Sequence, residues 1–236
     1  MSNGFWISSA KSHPGSVRHV NEDAFLNEPN AGLWCVADGM GGHAKGDVAS
    51  ALIVEKLAAL LTASSVLSLE SINQAIQAAN TEIISLSKQL RTKIGSTVAV
   101  LYIQEDVANV LWAGDSRVYH FTDNKLIRVT NDHNQAEELI MHGLLKPDQA
   151  HRHPGANLIT RAVGTRNSVC LDHKTLHWKP SDKFIVCTDG LYGAIGDAHI
   201  EAQLLSAESA DLSELLVDSA LESRARDNVT VIAVQR

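Results

Sequence analysis

The sequence predicts an α+β protein in which β-sheets stack on each other and helices lie outside them. Three observations carry this reading. Strand-like apolar runs follow one another over residues 96–130 with no helical spacing between them. Two long segments with helical spacing, 44–61 and 69–90, come as a consecutive pair. A later helix over residues 211–222 is followed by one closing strand over 229–234.

The elements follow in order along the chain. Residues 5–10 form the first expected strand. Residues 23–26 and 33–37 are two more, separated by a Glu-Pro-Asn-Ala-Gly turn. In the segment 44–61, Val48, Leu52, Ile53, Leu57, Leu60 and Leu61 recur at helical spacing. In 69–90 the apolar stripe is Ile72, Ile76, Ala79, Ile83 and Leu86 or Leu90. Gly95 punctuates. Strands are then expected at 96–103, 107–113, 117–122 and 125–130, with Asp123-Asn124 as a hairpin loop. Residues 131–166 are rich in His, Asn, Pro and Gly and carry one short helix at 135–142, so they read as a surface flap. Strands resume at 171–178 and 183–188.

Composition sets the outer bounds. A chain of 236 residues, 44% hydrophobic and 20% charged, is read as one domain with a sizeable core. A net charge of −7 argues against a general nucleic-acid binder. The three cysteines are an odd count without paired spacing, and Cys35 and Cys187 sit inside apolar runs. They imply a reducing compartment. No apolar run approaches the length of a membrane span, and the N-terminal residues lack a signal-type apolar region, so a cytoplasmic location is expected.

The sharpest feature is a recurrence. Apolar runs stop at an aspartate: LWCVADGMGG at Asp38, VLWAGDSR at Asp115 and FIVCTDGL at Asp189. Asp227 stands just before the last strand, and Glu22 and Asp23 lie beside an early one. Any one Asp-Gly pair is an ordinary turn former after a strand. As a group, adjacent strand ends would bring the carboxylates together, and converging carboxylates repel unless a cation lies among them. An oxygen-only donor set suits Mg²⁺ or Mn²⁺ rather than Zn²⁺. Gly39, Gly41 and Gly42 would let a main-chain carbonyl turn toward such an ion.

The ordered set VRHVNEDAF, VADGMGGHAKGDVAS, GSTVAVLYI, WAGDSRVY, NDHNQ, ITRAVG, CTDGLYGAI and RDNVTVIAV resembles the protein phosphatase 2C (PP2C, PPM) family of metal-dependent serine/threonine phosphatases. The resemblance spans nearly the whole chain and is similar to the short bacterial members, some of which regulate secretion. It implies a four-layer α/β/β/α sandwich, a central β-sandwich flanked by helix pairs. It also implies two core ions, Mn²⁺ or Mg²⁺, with a possible third, that activate a water for in-line attack on phosphorus.

Position by position, the resemblance makes Asp38 the bridge between both ions. Asp189 and Asp227 complete the first site, and the Gly39 carbonyl and Glu22 serve the second. Arg18 would grip the substrate phosphate, for which a guanidinium fork is suited. Asp23 would orient solvent or Arg18 from behind. Asp115 with Asp189 would form the third site. There are departures. Gly193 stands where many relatives have an aspartate, and Met40 where some have a histidine. His43 is a weaker candidate acid, and His133 is expected to anchor the start of the flap. His151 and His153 read as solvated flap residues, and Trp34 and Trp112 as core.

The implied partners are phosphorylated Ser/Thr proteins and an opposing Ser/Thr kinase. No nucleic acid, no membrane and a monomeric state are expected. Two other readings compete. One is a non-catalytic relative that only binds phosphoproteins; the presence of Arg18, Asp38, Asp189 and Asp227 argues against it. The other is a two-metal hydrolase of small phosphate esters or nucleic acid, which a substrate panel would separate.

Overall fold

The structure is a computed structural model that describes residues 6–41, 45–62, 67–206 and 211–236. Phe5, Gly42, His43, Ala44 and the His151 side chain lie outside the described residues.

Two antiparallel sheets face each other. The first has the order β1 (Ile7–His13), β11 (Val229–Gln235), β10 (Lys183–Cys187), β7 (Arg117–Thr122), β8 (Lys125–Arg128). The second runs β2 (Asp23–Glu28), β3 (Leu33–Gly41), β5 (Val98–Gln104), β6 (Val107–Ala113), β9 (Asp172–His177), with β4 (Ile94–Ser96) paired to the far end of β3. Helices α1 (Gly46–Thr62) and α2 (Leu69–Leu90) cover the second sheet, and α4 (Asp189–Ser206) and α5 (Leu212–Glu222) cover the first. A short α3 (Gln135–Met141) lies between β8 and β9. This is the α/β/β/α sandwich that the resemblance implied.

Strand alternation builds the layers. In β3, Cys35 and Ala37 face α1 and α2, while Trp34 and Val36 face the other sheet. In β10, Phe184 and Val186 point between the sheets, while Ile185 and Cys187 meet α4 and α5. Both faces of these central strands are buried, which is why they read as continuous apolar runs rather than alternating ones. Helix α2 begins at a capping box, in which Ser68 and Ser71 each accept from the other's main-chain N–H. Its buried stripe includes Ile72, Ile76, Ala79 and Ile83, as the spacing predicts.

Three expectations change. The strand expected to stop before Asp38 continues through it to Gly41, because Gly39, Met40 and Gly41 pair with Ser96, Gly95 and Ile94. Gly95 is therefore part of a strand rather than a break. Helix α4 is not foreseen at all: Gly190 and Gly193 depress helix propensity in it, and Gly196, at φ 74° and ψ 159°, breaks it into two helical stretches at a kink. Burial of Leu191, Ile200 and Leu204 under the first sheet overrides that propensity.

Candidate active site

The site forms at one end of the gap between the sheets. Positions 34, 36 and 38 of β3 share one strand face, so the parity that buries Trp34 and Val36 between the sheets aims Asp38 into the same gap. Asp23 is its direct partner across β2 and β3. From the first sheet, Thr188 and Thr230 donate to Asp23 Oδ2 at 2.9 and 2.6 Å. Asp115 lies where the chain crosses from β6 to β7, hence from one sheet to the other. Asp189 opens α4, and Asp227 precedes β11.

Electrostatics tie these five together. Burial, and then Asp23, Asp189, Asp115 and Asp227, push the Asp38 carboxyl well above the usual range. Burial raises Asp23 to about 7 against the hydrogen bonds from Thr230 and Thr188. Asp115 rises to about 8 through burial and then Asp189, and Asp189 to about 6 through burial and then Asp227. Asp23 Oδ1 and Asp189 Oδ1 are buried with no hydrogen-bond partner. Among the described residues no three His, Cys, Asp or Glu side chains are close enough to chelate an ion as they stand. Crowded anionic oxygens with two orphaned atoms and no soft donor fit a hard divalent cation, which would draw the carboxylates inward.

The other expected residues fall around this cluster. Arg18 donates to Asp227 Oδ2 at 2.8 Å, so it pairs with Asp227 rather than with Asp23. Glu22 accepts the Gly46 N–H on its Oε1 at 2.8 Å, and its carbonyl accepts from Gly39 N–H at 3.0 Å. A Cβ at Gly39 would stand 2.0 Å from the Gly46 carbonyl oxygen, so only glycine allows this approach. Gly193 faces open space in the neighbouring cleft.

Several working residues carry no flag in the reading of the sequence. Asn228 is buried; its Oδ1 accepts from Glu22 N–H at 2.8 Å, and its amide donates to the carbonyls of Pro14 and Val20. It thereby holds the loop that carries Arg18 and Glu22. Thr97 Oγ1 accepts the Asp38 N–H at 3.0 Å and lies 2.6 Å from Ser116 Oγ. Arg117 grips Asp132 through Nε and Nη2 at 2.9 and 2.7 Å and lies over the Tyr192 ring, whose hydroxyl donates to the Asp115 carbonyl. The motifs RDN, GST and GDSR contain Asn228, Thr97 and Arg117, but nothing local separates these residues from ordinary polar residues at strand ends.

His133 accepts the Gly114 N–H on Nδ1 at 3.1 Å, which leaves Nε2–H to donate to Asp172 at 3.2 Å. It fixes the segment 131–166 to the crossover that carries Asp115. A cleft of about 830 Å³ lies between this segment and α4, lined by Asp132, Glu137, Asp189, Gly193 and Asp227 among others. His153, half-buried, accepts from Gly155 N–H. No helix among the described residues is long and apolar enough to cross a membrane.

Residues 13–226 match a family model described as protein phosphatase 2C. The serine/threonine phosphatase stp of Listeria monocytogenes serotype 4b is 32% identical, over 94% of this chain and 92% of that protein. Among solved structures, PppA, described as a key regulatory component of T6SS in Pseudomonas aeruginosa, superposes with a TM-score of 0.88 at 36% identity, over 98% of each chain. The catalytic domain of the phosphatase PstP in complex with two manganese ions gives 0.87 at 30% identity, over 98% of this chain and 97% of that one.

Proposed function

Because the chain belongs to the protein phosphatase 2C family, we infer that it hydrolyses the phosphate monoesters of phosphoserine and phosphothreonine in other proteins. The observation that carries this for the residues themselves is the meeting of Asp23, Asp38, Asp115, Asp189 and Asp227 at the open end of the sandwich. Asp38, Asp189, Asp227 and the Gly39 carbonyl would hold two divalent ions, Mn²⁺ or Mg²⁺, with Glu22 serving their water shell. Asp115 and Asp189 serve a third. Bound there, such ions lower the pKa of water and neutralise phosphate charge.

The chain's own groups do the positioning. Arg18 binds the phosphate oxygens of the substrate from its exposed place beside Asp227. Asp23, locked by Thr188 and Thr230, lies beside Asp38 across β2 and β3, where it orients solvent near the ions. Asn228 and Thr97 fix the main chain around Glu22 and Asp38.

The protein acts as a monomer against a Ser/Thr kinase, and its likeness to PppA supports a place in the regulation of bacterial secretion. The test is phosphate release from phosphothreonine, phosphoserine and phosphotyrosine peptides with Mn²⁺, with Asp38→Asn as control. Release from the first two peptides, absent in the control, is expected. Activity confined to nucleotides, or retained in the control, would overturn the reading.

A further inference from the structure

Four arginines line the cleft beside the carboxylate cluster: Arg117, Arg128, Arg224 and Arg226. Two are already matched. Arg117 is paired with Asp132 and Asp197, and Arg128 with Asp132 and Glu137. Arg224 and Arg226 are exposed and have no carboxylate partner among the described residues. The cations that act most on Asp189 are Arg18 and Arg117, not Arg224 or Arg226. They stand free in a protein whose net charge is −7.

The turn that carries them is fixed. Arg224 adopts a left-handed φ of 59° after α5 and reverses the chain there. Ala225, between the two arginines, is buried. Its N–H donates to the Ala220 carbonyl, and its carbonyl accepts from Ser16 N–H at 2.8 Å. The turn is thus tied both to its own helix and to the loop that carries Arg18. With Ala225 turned in, Arg224 and Arg226 turn out, and Arg226 directly precedes Asp227.

We propose that Arg224 and Arg226 form a subsite for a second anionic group of the substrate chain, a carboxylate or a second phosphate near the phosphoresidue being hydrolysed. The inference rests on the phosphatase reading. An extended peptide advances about 3.3 Å per residue, and Arg226 adjoins Asp227, so the anion belongs within about three residues of the phosphoresidue. A basic lip on an acidic protein also offsets, locally, the repulsion that an acidic substrate would meet on approach. Arg224 has a second role open to it, since a cation past the C-terminal end of α5 favours that helix; Arg226 has not.

The experiment compares phosphothreonine peptides that differ only in Glu against Gln at positions within three residues of the phosphothreonine, with a doubly phosphorylated peptide as a further arm. In Mn²⁺ buffer the Glu peptide should show a kcat/KM about tenfold higher, as charge-assisted contacts give. That ratio should fall toward one in Arg224→Gln/Arg226→Gln and return in Arg224→Lys/Arg226→Lys. In the unaltered protein it should also narrow as NaCl rises from about 50 to about 500 mM, because exposed charges are screened. The salt series does not depend on any variant folding. Equal kcat/KM for the two peptides, or a ratio untouched by the Gln pair, overturns the subsite alone. No release from any phosphopeptide overturns the phosphatase reading and the subsite with it. The doubly phosphorylated arm tells a phosphate preference from a carboxylate one.

Discussion

Asp23 and Asp38 face each other across β2 and β3, and both lie on the side turned toward the opposing sheet. Two half-buried carboxylates in register repel. Only Asp23 has hydroxyl donors, from Thr188 and Thr230. The pair is therefore a place where the fold gives up stability in exchange for charge density, and a bound cation would recover it.

Metal and Asp38 should accordingly act in opposite directions on stability. Mn²⁺ at about 100 times its Kd should stabilise the protein by about 2.7 kcal/mol. Asp38→Asn should raise the melting temperature of the EDTA-treated protein by roughly 2–4 °C, what about 1 kcal/mol gives at this size. It should also shrink the Mn²⁺ increment and abolish turnover. Differential scanning calorimetry with and without Mn²⁺ checks this; a metal-free variant that melts lower than the unaltered protein counts against the repulsion.

Thr97 offers a test of main-chain support. Its buried Oγ1 accepts the Asp38 N–H and meets Ser116 Oγ. Thr97→Val keeps the shape and orphans the Asp38 N–H, at a cost of about 1–3 kcal/mol. Thr97→Ser should restore most of it. If the Val variant melts and turns over like the unaltered protein, Thr97 does not hold Asp38.

Much of this was legible in advance, for physical reasons that can be named. Helix α2 was readable to its ends because its stripe, Ile72, Ile76, Ala79 and Ile83, is buried on one face only. Asp38, Asp115 and Asp189 were readable because each ends an apolar run, and Asp23 and Asp227 because each adjoins the start of a strand. Helix α4 was not, since Gly190 and Gly193 mask two helical stretches, meeting at the Gly196 kink, that tertiary burial enforces. Asn228 and Thr97 were not either: their roles depend on atoms 206 and 59 positions away, and nothing local distinguishes them from ordinary strand-edge polar residues.

Arg18 separates binding from stability. Its ion pair with Asp227 is exposed, and such pairs add little to folding. Arg18→Ala should therefore leave the melting temperature within about a degree and raise KM for a phosphopeptide roughly tenfold. Arg18→Lys should recover part of it, lacking the fork. Steady-state kinetics decide: a lowered kcat with KM unchanged removes the phosphate-gripping role.

His133 gives the pH dependence a sign. Burial holds its imidazole below the ordinary 6.5, against the Asp172 hydrogen bond. The folded state thus binds fewer protons than the unfolded one in the window just below 6.5. Its contribution is fully present above that value and is lost as pH falls through the depressed one. A proton on Nδ1 would also break the acceptance from Gly114 N–H. Amide exchange at Gly114 and Thr160 should therefore quicken, beyond its intrinsic pH trend, as pH falls below about 6.5. In His133→Gln that excess should vanish. Equal excess in both proteins would locate the acid sensitivity elsewhere.

Gly193 lies one helical turn along α4 from Asp189, lines the same cleft, and has nothing within 4 Å of where a Cβ would stand. An aspartate fits there sterically, and its effect should change sign with the ion. Without metal, Gly193→Asp sets a second carboxylate four residues from Asp189, a like-charge spacing that costs about 0.2–0.5 kcal/mol and offsets most of what replacing a helical glycine gains. With Mn²⁺, the added carboxylate supplies a ligand beside Asp115 and Asp189. Half-saturation of the Mn²⁺-induced rise in melting temperature should then shift to lower concentration, by about tenfold for a new charged ligand worth about 1.4 kcal/mol. Were no third ion to bind between Asp115 and Asp189, the variant and the unaltered protein would titrate alike. Coincident Mn²⁺ curves would therefore remove the third site alone and leave the site of Asp38, Asp189 and Asp227 untouched.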